Sequence, residues 1–489
     1  MAGAPITTAT SSLSRAERLW GAVRLAALAV AVLLFEVALA AGVVNERLSR
    51  LLVLFAAVAG VAVLFRFPLI SAMVMLACTD FILAPDFFSL PAGPIEVRPY
   101  ELILGGLLLV ALVRPQKRTW GGATGIFLAI FLILVAASGI QATMSGRTEA
   151  GEVLAWGRSI GMLLFFYVVV RLLPGREDRR ALLLAAAVLA ALTGVVALLV
   201  SLGWSLGETL QGEGDQIIRE EEGVGGVNRV RLAGLSLGYA MFWYVATQVV
   251  FSEGKRRLGW GLLFAGIAVN IIVSFNRNMW LGLIAGLLLM LVVGGPQIRG
   301  RFVIAIVMVA TGLAVITVVG RSGEDRLLEP VVERASTIFA PGDIAQENSL
   351  QDRENENALA WEVAKDNLAL GVGVGAPLGV YTYEQSGSYT YVRTPQLFLH
   401  NQYLYLLLAG GVGALAAFLA FLLWPLAAAY RRASTDPAIA ACGVGIAMIM
   451  MSSVVAIYFT SESMTAVLAL LAGVIVADAQ ETADDPTPA

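Results

Sequence analysis

Long apolar runs separated by short polar segments fill most of this 489-residue chain. A helix needs about 20 apolar residues to cross the hydrocarbon core of a bilayer. Candidate spans lie near residues 20–43, 48–65, 68–84, 99–113, 120–142, 156–173, 181–203, 232–252, 258–275, 278–294, 302–320, 403–429, 438–458 and 462–477. Hydrophobic residues make up 58% of the chain and charged residues 14%, a balance typical of a protein that lies mostly in lipid. The sequence therefore predicts an all-α fold, a polytopic transmembrane protein of about 14 spans.

The polar residues exclude several classes of function. The net charge is −3 and the arginines lie singly, so there is no basic face for nucleic acid. Cys78 and Cys442 both fall inside apolar runs, which argues against a disulfide framework or a thiolate metal site. His400 is the single histidine, and one imidazole cannot build a multi-histidine zinc site. We therefore expect no metal and no cofactor.

Lysine and arginine concentrate in alternate short loops, and this bias orients a membrane protein. The positive loops, which are cytoplasmic by this rule, contain Arg15, Arg18, Arg24, Arg114, Lys117, Arg118, Arg171, Arg176, Arg179, Arg180, Lys255, Arg256, Arg257, Arg299, Arg301, Arg431 and Arg432. Both termini are then cytoplasmic. Ala38-Leu39-Ala40 is similar to a signal-peptidase site, but Glu36 interrupts the preceding run and the charge pattern needs the first span retained.

The predicted segments follow from these spans. They are a cytoplasmic N-terminus at 1–19, N-terminal transmembrane helices at 20–203, an external loop at 204–230, transmembrane helices carrying Arg231 and Arg277 at 231–320, a large external (periplasmic) loop at 321–396 between spans 11 and 12, C-terminal transmembrane helices from His400 within 397–478, and a disordered acidic cytoplasmic tail at 479–489. A loop as long as 321–396 is expected to have structure of its own.

The large external loop contains a helical pattern. Ser349-Leu350-Gln351-Asp352 is typical of a helix start, and an amphipathic helix is predicted from Arg353 to Leu368. Its apolar face is predicted to consist of Leu359, Ala360, Val363, Ala364 and Leu368. The glycines of Gly371-Val372-Gly373-Val374-Gly375 lack the strand-turn-helix context of a nucleotide loop. We expect a flexible turn that lies against the bilayer.

Three charged or titratable residues are predicted at external helix starts. Arg231 and Arg277 open the eighth and tenth spans, and His400 opens the twelfth. Helix N-termini present free N–H groups and the positive end of the dipole, and guanidinium groups match phosphate oxygens, so these positions favour a phosphate-rich anion. Two alternatives stay open: interfacial arginines often extend to lipid headgroups, and His400 can be a structural histidine at a helix start.

The segment around His400 resembles a known signature. His400-Asn401, nine further residues and Gly411-Val412-Gly413-Ala414 are similar to the His-Asn signature of the O-antigen ligase and polymerase superfamily. The preceding features occur in that family's order, namely Arg231-x-x-Gly, Asn276-Arg277, and a long loop with Arg353, Trp361 and a Gly-x-Gly turn. The resemblance covers residues 225–425. Ala414 replaces a usual glycine, with little effect on close packing, and Ala409 replaces a common acid, so an acid role there is doubtful.

The resemblance implies a metal-independent glycosyltransferase in the inner (cytoplasmic) membrane of a bacterium, with its active site on the external face. It implies an undecaprenyl-pyrophosphate-linked glycan donor and a glycan, lipid or other cell-surface acceptor. In that family two arginines hold the pyrophosphate and the histidine acts on the acceptor hydroxyl. These roles carry over to Arg231, Arg277 and His400.

Other residues are secondary candidates. Arg229 competes with Arg231 for the pyrophosphate, because residues two apart point to different faces of a helix. Arg353 can also reach phosphates from the external loop. Acceptor or glycan binding is assigned to Asn401, Tyr391, Arg393 and Glu384. Glu384 is also the alternative base, and Tyr391 belongs to a period-two aromatic set with Tyr381, Tyr383 and Tyr389.

Two functional classes remain open at this stage. Within the transferases, the sequence does not separate a polymerase from a ligase, and the oligomeric state is open. A polysaccharide or lipid-linked glycan transporter or flippase without transferase activity is the alternative, since the span count allows it. Against transport, the sequence shows no internal repeat and no charge cluster at mid-membrane.

Overall fold

The computed structural model describes residues 60, 63–64, 66–79, 90–92, 95–114, 119–201, 232, 234–274, 276–303, 348–378, 381–386, 390–395, 399–458 and 461–484. The chain divides into two compact units, Met1–Phe67 and Pro68–Ala489. Within the described part of the first unit, the Phe67 amide donates to the Val63 carbonyl over 2.7 Å. The elements that carry the site lie in the second unit.

Helices dominate the described part of the second unit. They are α1 (Pro68–Cys78), α2 (Pro99–Val113), α3 (Gly122–Met144), α4 (Ala150–Gly161), α5 (Phe165–Leu172), α6 (Arg176–Ser201), α7 (Leu235–Phe251), α8 (Gly254–Val273), α9 (Arg277–Val293), α10 (Asn348–Asp366), α11 (Gln402–Arg432), α12 (Pro437–Ser452) and α13 (Glu462–Asp484). A 3₁₀ turn, Met162–Leu164, joins α4 to α5.

Six helical stretches are long and apolar enough to cross a membrane. They are Gly122–Met144, Ala150–Leu172, Arg176–Ser201, Gly254–Val273, Gln402–Arg432 and Glu462–Thr482. Shorter apolar helices are Pro68–Cys78, Pro99–Val113, Leu235–Phe251, Arg277–Val293 and Pro437–Ser452. These helices coincide with predicted spans and confirm a helical membrane protein. The predicted runs at 20–43, 48–65 and 302–320 lie wholly or mostly outside the described residues, so fourteen spans stay a prediction.

Two antiparallel hairpins are an addition to the predicted all-α fold. One pairs β1 (Leu90–Ala92) with β2 (Ile95–Val97), and the other pairs β3 (Tyr381–Ser386) with β4 (Thr390–Pro395). Both lie in connections between predicted spans, and β3–β4 is rich in tyrosine and threonine, which favour strands. The helical prediction rested on apolar run length, which carries no signal for such short strands.

α13 is the central helix of the bundle. Its membrane-length window is 94% buried, and it packs against α5, α7, α11 and α12. Gly473 lets it approach α5 closely, because a Cβ there would lie 2.8 Å from the Val169 Cβ. The core around α13 therefore comes from small and aliphatic side chains that allow close helix contact.

One end of the bundle is held by ion pairs between four helices. Asp478 of α13 accepts from Arg432 of α11 and lies 3.8 Å from Arg179 of α6. Arg179 also pairs with Glu481, and Arg176 pairs with Asp436 at the start of α12. We call this the Asp478 end. It joins the beginnings of α6 and α12 to the final residues of α11 and the last turns of α13.

Candidate functional site

Three helices begin at the opposite end of the bundle, around the last residues of α12. The Tyr239 hydroxyl of α7 lies 2.6 Å from the Ser452 Oγ of α12. The Gln402 amide of α11 donates to the Ser453 carbonyl over 3.0 Å. At Gly282 of α9, a Cβ would lie 3.0 Å from the same Ser452 Oγ. The starts of α7, α9 and α11 therefore meet where α12 ends, and we call this the His400 end.

The loop after α12 completes this junction. The Tyr458 amide donates to the Gln402 Oε1 over 2.9 Å. Burial raises the pKa of Tyr458 to about 12, so the phenol stays neutral. Gln402 thus joins the loop to the first turn of α11 through its backbone and its side chain.

Small residues bring α9 close to its neighbours and so fix the position of Arg277. A Cβ at Gly282 would lie 1.8 Å from the Tyr239 hydroxyl, and one at Gly286 would lie 2.2 Å from the Trp243 Nε1. A larger residue at either position would displace the Tyr239 or Trp243 side chain of α7. Arg277 is the first residue of α9, about 7.5 Å along the axis beyond Gly282.

The start of α9 has the features expected of an anion site. Asn276 is the N-cap, and its side-chain oxygen accepts from the Asn278 amide over 3.2 Å. Arg277 is partly exposed and lies beside the positive end of the helix dipole. Arg229 and Arg231 lie outside the described residues. Their predicted roles stay predictions.

His400 lies directly before α11, against a carboxylate from α10. The His400 backbone amide donates to the Glu356 Oε1 over 2.8 Å, and the His400 Nδ1 lies 2.8 Å from the Glu356 Oε2. The Glu356 side chain is 8% exposed and that of His400 is 43% exposed. One carboxylate therefore binds the main chain and the ring of the same residue, with the ring still accessible to solvent.

Glu356 is a site residue that the sequence does not predict. It stands among the polar residues of Asp352-Arg353-Glu354-Asn355-Glu356-Asn357, where several side chains could have faced inward. Glu356, Ala360 and Ala364 form the buried stripe of α10 at four-residue spacing. Two alanines spaced in this way after one carboxylate could have identified it, since small residues mark the side on which helices meet. Arg353 lies one turn before Glu356 near the same stripe and is partly exposed.

The predicted apolar face of α10 was wrong in part. Ala360 and Ala364 are buried, but Leu359 and Leu368 are 51% and 45% exposed. The inward face is narrower than predicted and includes a carboxylate, which binds His400 directly before α11. The helix itself is confirmed, over Asn348–Asp366.

The glycine-rich segment after α10 is buried inside the bundle, so the predicted flexible turn against the bilayer was wrong. Val372 through Ala376 are all buried. The Val372 amide donates to the Leu408 carbonyl over 2.6 Å, and Thr148 donates to the Gly375 carbonyl over 2.8 Å. A Cβ at Gly373 would lie 2.3 Å from the Ala142 Cβ. The segment fits between α3, α4 and α11 because it carries no side chain at its tightest contacts.

α11 is interrupted where it meets this segment. Gly411 has φ 77° and ψ −179°, outside helical geometry and almost restricted to glycine. The carbonyl of Leu408, released from the helix, accepts from Val372, and the amide of Val412 donates to the Leu368 carbonyl over 2.8 Å. The segment after α10 thus replaces hydrogen bonds that α11 loses at the break.

The four residues predicted to bind glycan lie at the start of α11 and in the β3–β4 hairpin. Asn401 is the N-cap of α11, where its side-chain oxygen accepts from the amides of Tyr403 and Leu404 over 3.1 and 3.2 Å. In the β3–β4 register, Arg393 lies opposite Tyr383, Tyr391 lies opposite Gln385, and Glu384 lies opposite Val392. Arg393 and Tyr391 therefore pair with the two residues that flank Glu384 in β3. Glycan binding by all four residues stays a prediction.

A second charged group joins α2, α4 and α13, the last of which begins after the Tyr458 loop. Glu462 accepts from Arg98 over 2.9 Å and from the Tyr100 hydroxyl over 3.1 Å. Glu101 pairs with Arg158 over 2.7 Å. These contacts brace the helices beside the site. Within the described ranges, no group of three or more His, Cys, Asp or Glu residues could hold a metal ion.

The segment that contains Arg277, Glu356 and His400 is similar to a known protein family. Residues 260–419 match the family model described as O-antigen ligase. These residues are similar to that family, and we call the matched segment the O-antigen ligase domain. The match confirms the resemblance to the O-antigen ligase and polymerase superfamily. No curated protein sequence matches the chain.

The O-antigen ligase domain begins within α8 and ends within α11. It contains Arg277, Glu356, His400 and Gly411, and it does not reach Arg229 or Arg231. The Glu356–His400 contact and the exchange of hydrogen bonds at Gly411 therefore both lie within the domain.

Proposed function

We propose that the protein is a membrane glycosyltransferase that moves a glycan from an undecaprenyl-pyrophosphate donor to an acceptor hydroxyl. In this proposal His400 is the base, Arg277 and Arg231 hold the pyrophosphate, and no metal takes part. The site faces the outside of a bacterial cytoplasmic membrane, and both termini are cytoplasmic. The acceptor is either another lipid-linked repeat unit, as in a polymerase, or a different cell-surface molecule, as in a ligase.

The observation that carries the proposal is the arrangement at the His400 end. A histidine held by a buried carboxylate and an arginine at a helix N-terminus both lie at this end, within an O-antigen ligase domain. Acyl or phosphoryl transfer through a covalent enzyme intermediate would need a nucleophile here. Direct displacement needs only a base for the acceptor and a positive environment for the leaving group.

The proposed step is a single displacement at the anomeric carbon of the donor. The acceptor oxygen gives its proton to His400 and forms the new glycosidic bond. The bond from the anomeric carbon to the pyrophosphate oxygen breaks, and the electron pair leaves with the lipid pyrophosphate. Arginines oriented in advance stabilise this developing negative charge, because they need no reorganisation during the reaction.

The test begins in cells whose only copy of the protein carries His400→Ala. Lipid-linked intermediates are extracted and measured by mass spectrometry, beside wild type and Glu362→Gln. Glu362 is the matched control, because it lies on α10 with a side chain that is 67% exposed and paired with Lys365. Accumulation of undecaprenyl pyrophosphate carrying single repeat units would identify a polymerase, and accumulation of long chains a ligase.

The kinetic expectation is a fall in kcat. A general base contributes typically about 10²- to 10⁴-fold, so His400→Ala should lose that much turnover with saturating donor while donor binding persists. Normal turnover by the variant would refute the base assignment. No accumulation on the external side of the membrane would refute the transferase and favour the transporter.

A further inference from the structure

Glu356 uses both oxygens of its carboxylate on one residue. Its Oε1 accepts the His400 backbone amide, and its Oε2 lies 2.8 Å from the ring Nδ1. An ionised carboxylate can only accept hydrogen bonds. A neutral imidazole therefore makes this contact only if its hydrogen is on Nδ1, which leaves the lone pair on Nε2.

We propose that Glu356 is a positioning residue that holds His400 in the Nδ1–H tautomer, so that Nε2 is the atom that takes the acceptor's proton. The role in turnover rests on the proposed function, whereas the tautomer is a property of the resting protein. The two can therefore be tested separately.

The fold holds α10 and the start of α11 as one piece. Ala360 and Ala364 are buried on the same face of α10 as Glu356, and α10 packs against α11. Beyond the end of α10, the chain binds α11 twice, through the Val372 amide to Leu408 and the Val412 amide to Leu368. These contacts fix the distance from Glu356 to His400 through the backbone, which is what a positioning residue requires.

The tautomer matters during the proposed displacement. As the acceptor oxygen attacks, its proton moves to Nε2 and the ring becomes an imidazolium. The Nδ1–H stays on the ring and donates to the Glu356 carboxylate, which stabilises the new positive charge. After product release, the Nε2 proton passes to water and the original tautomer returns. Glu356 touches neither the donor nor the acceptor in this scheme.

Glu356→Gln keeps the shape of the side chain but replaces one accepting oxygen with a donating NH₂ group. The glutamine has one oxygen, and the backbone amide of His400 can only donate, so the oxygen must face that amide. The glutamine NH₂ then faces Nδ1 and can bond only to a lone pair. The variant therefore favours the Nε2–H tautomer, in which Nε2 cannot accept a proton. The side chain keeps its size and both contacts.

The single histidine makes the tautomer directly measurable. Because the chain contains only one histidine, ¹⁵N-histidine labelling yields signals from one imidazole if the purification tag contains no histidine. Spectra of the full-length protein in lipid nanodiscs are recorded over a pH series, and the tautomer is determined at the high-pH end, where the ring signals no longer change. Wild type, Glu356→Gln and the control Glu362→Gln are compared.

We expect a protonated Nδ1 and an unprotonated Nε2 in wild type and in Glu362→Gln, and the reverse in Glu356→Gln. A wild-type ring protonated mainly on Nε2 would overturn the proposal, even if no Glu356 variant folds. Retention of the Nδ1–H tautomer by folded Glu356→Gln would also overturn it.

Activity provides a second readout. Glu356→Gln should lower kcat by about 10²- to 10⁴-fold with little change in the KM for donor. Glu356→Asp keeps an acceptor-only carboxylate and should recover part of the rate. The double variant Glu356→Gln/His400→Ala should be no slower than His400→Ala, whereas a purely structural role for Glu356 would add a further loss. If His400→Ala itself is fully active, the proposed function fails while the tautomer result still stands.

Discussion

The two ends of the helical bundle use charge in different ways. At the Asp478 end, arginines and carboxylates of four helices pair with one another, and Arg179 is almost fully buried among them. At the His400 end, the buried carboxylate Glu356 holds a partly exposed histidine, and Arg277 lies at a helix N-terminus. The ion pairs at the Asp478 end stabilise the contacts between helices, whereas the contact to Glu356 leaves the His400 ring accessible to solvent. Stability and function should therefore separate between the two ends.

The largest effect is expected from a disturbance of α11, a helix that reaches both ends. Gly411→Ala should abolish activity and greatly reduce the yield of folded protein. A Cβ at this position would lie 2.2 Å from the Ala369 carbonyl oxygen, and the backbone geometry itself costs about 1–3 kcal/mol for other residues. Yield of monodisperse protein and hydrogen exchange at residues 369–376 measure the effect.

Gly413→Ala is the matched control for that variant. Its Cβ would meet only the flexible Cδ1 of Leu134, at 3.2 Å, and its backbone is helical. Equal losses for the two variants would show that α11 tolerates no added bulk in this region, and would contradict the role assigned to the break.

The second-largest effect, a loss of stability, is expected from a change at the Asp478 end. Asp478→Asn removes the carboxylate shared by Arg432 and Arg179. Removing one partner of a buried ion pair costs about 3–5 kcal/mol, and the remaining pairing of Arg179 with Glu481 should keep the loss near the lower value. Thermal unfolding of the purified protein should show this loss, while kcat per folded molecule stays unchanged. A fall in kcat without a fall in Tm would contradict the separation of the two ends.

The smallest loss of stability is expected from a change at the His400 end. Tyr239→Phe removes the hydroxyl that lies 2.6 Å from the Ser452 Oγ. A neutral buried hydrogen bond contributes about 1 kcal/mol, so the loss of stability should be smaller than for Asp478→Asn. Tyr430→Phe is the control, because Tyr430 is 67% exposed near the other end. A larger loss for Tyr239→Phe than for Asp478→Asn would reverse the proposed order.

The sequence predicts the helices of this protein better than it predicts their contacts. Apolar run length identifies the described spans, and the start of α9 at Arg277 follows from polar residues between two runs. The inward position of Glu356 depends on how α10 docks, which no local pattern contains. The break at Gly411 does not follow from the sequence for a similar reason, since Gly411 stands inside a continuous apolar run and was identified only as part of the His-Asn signature.

The interruption of α11 also limits how such proteins can be recombined. The nine residues from Gln402 to Gly410 form a short helical segment directly after His400, and the Leu408 carbonyl and the Val412 amide at the break bind the chain that follows α10. A chimaera that exchanges the chain after α10 must therefore keep residues 368–412 from a single parent. A junction placed inside that stretch would separate the partners of these hydrogen bonds, and the start of α11 would lose its alignment with the rest of the bundle.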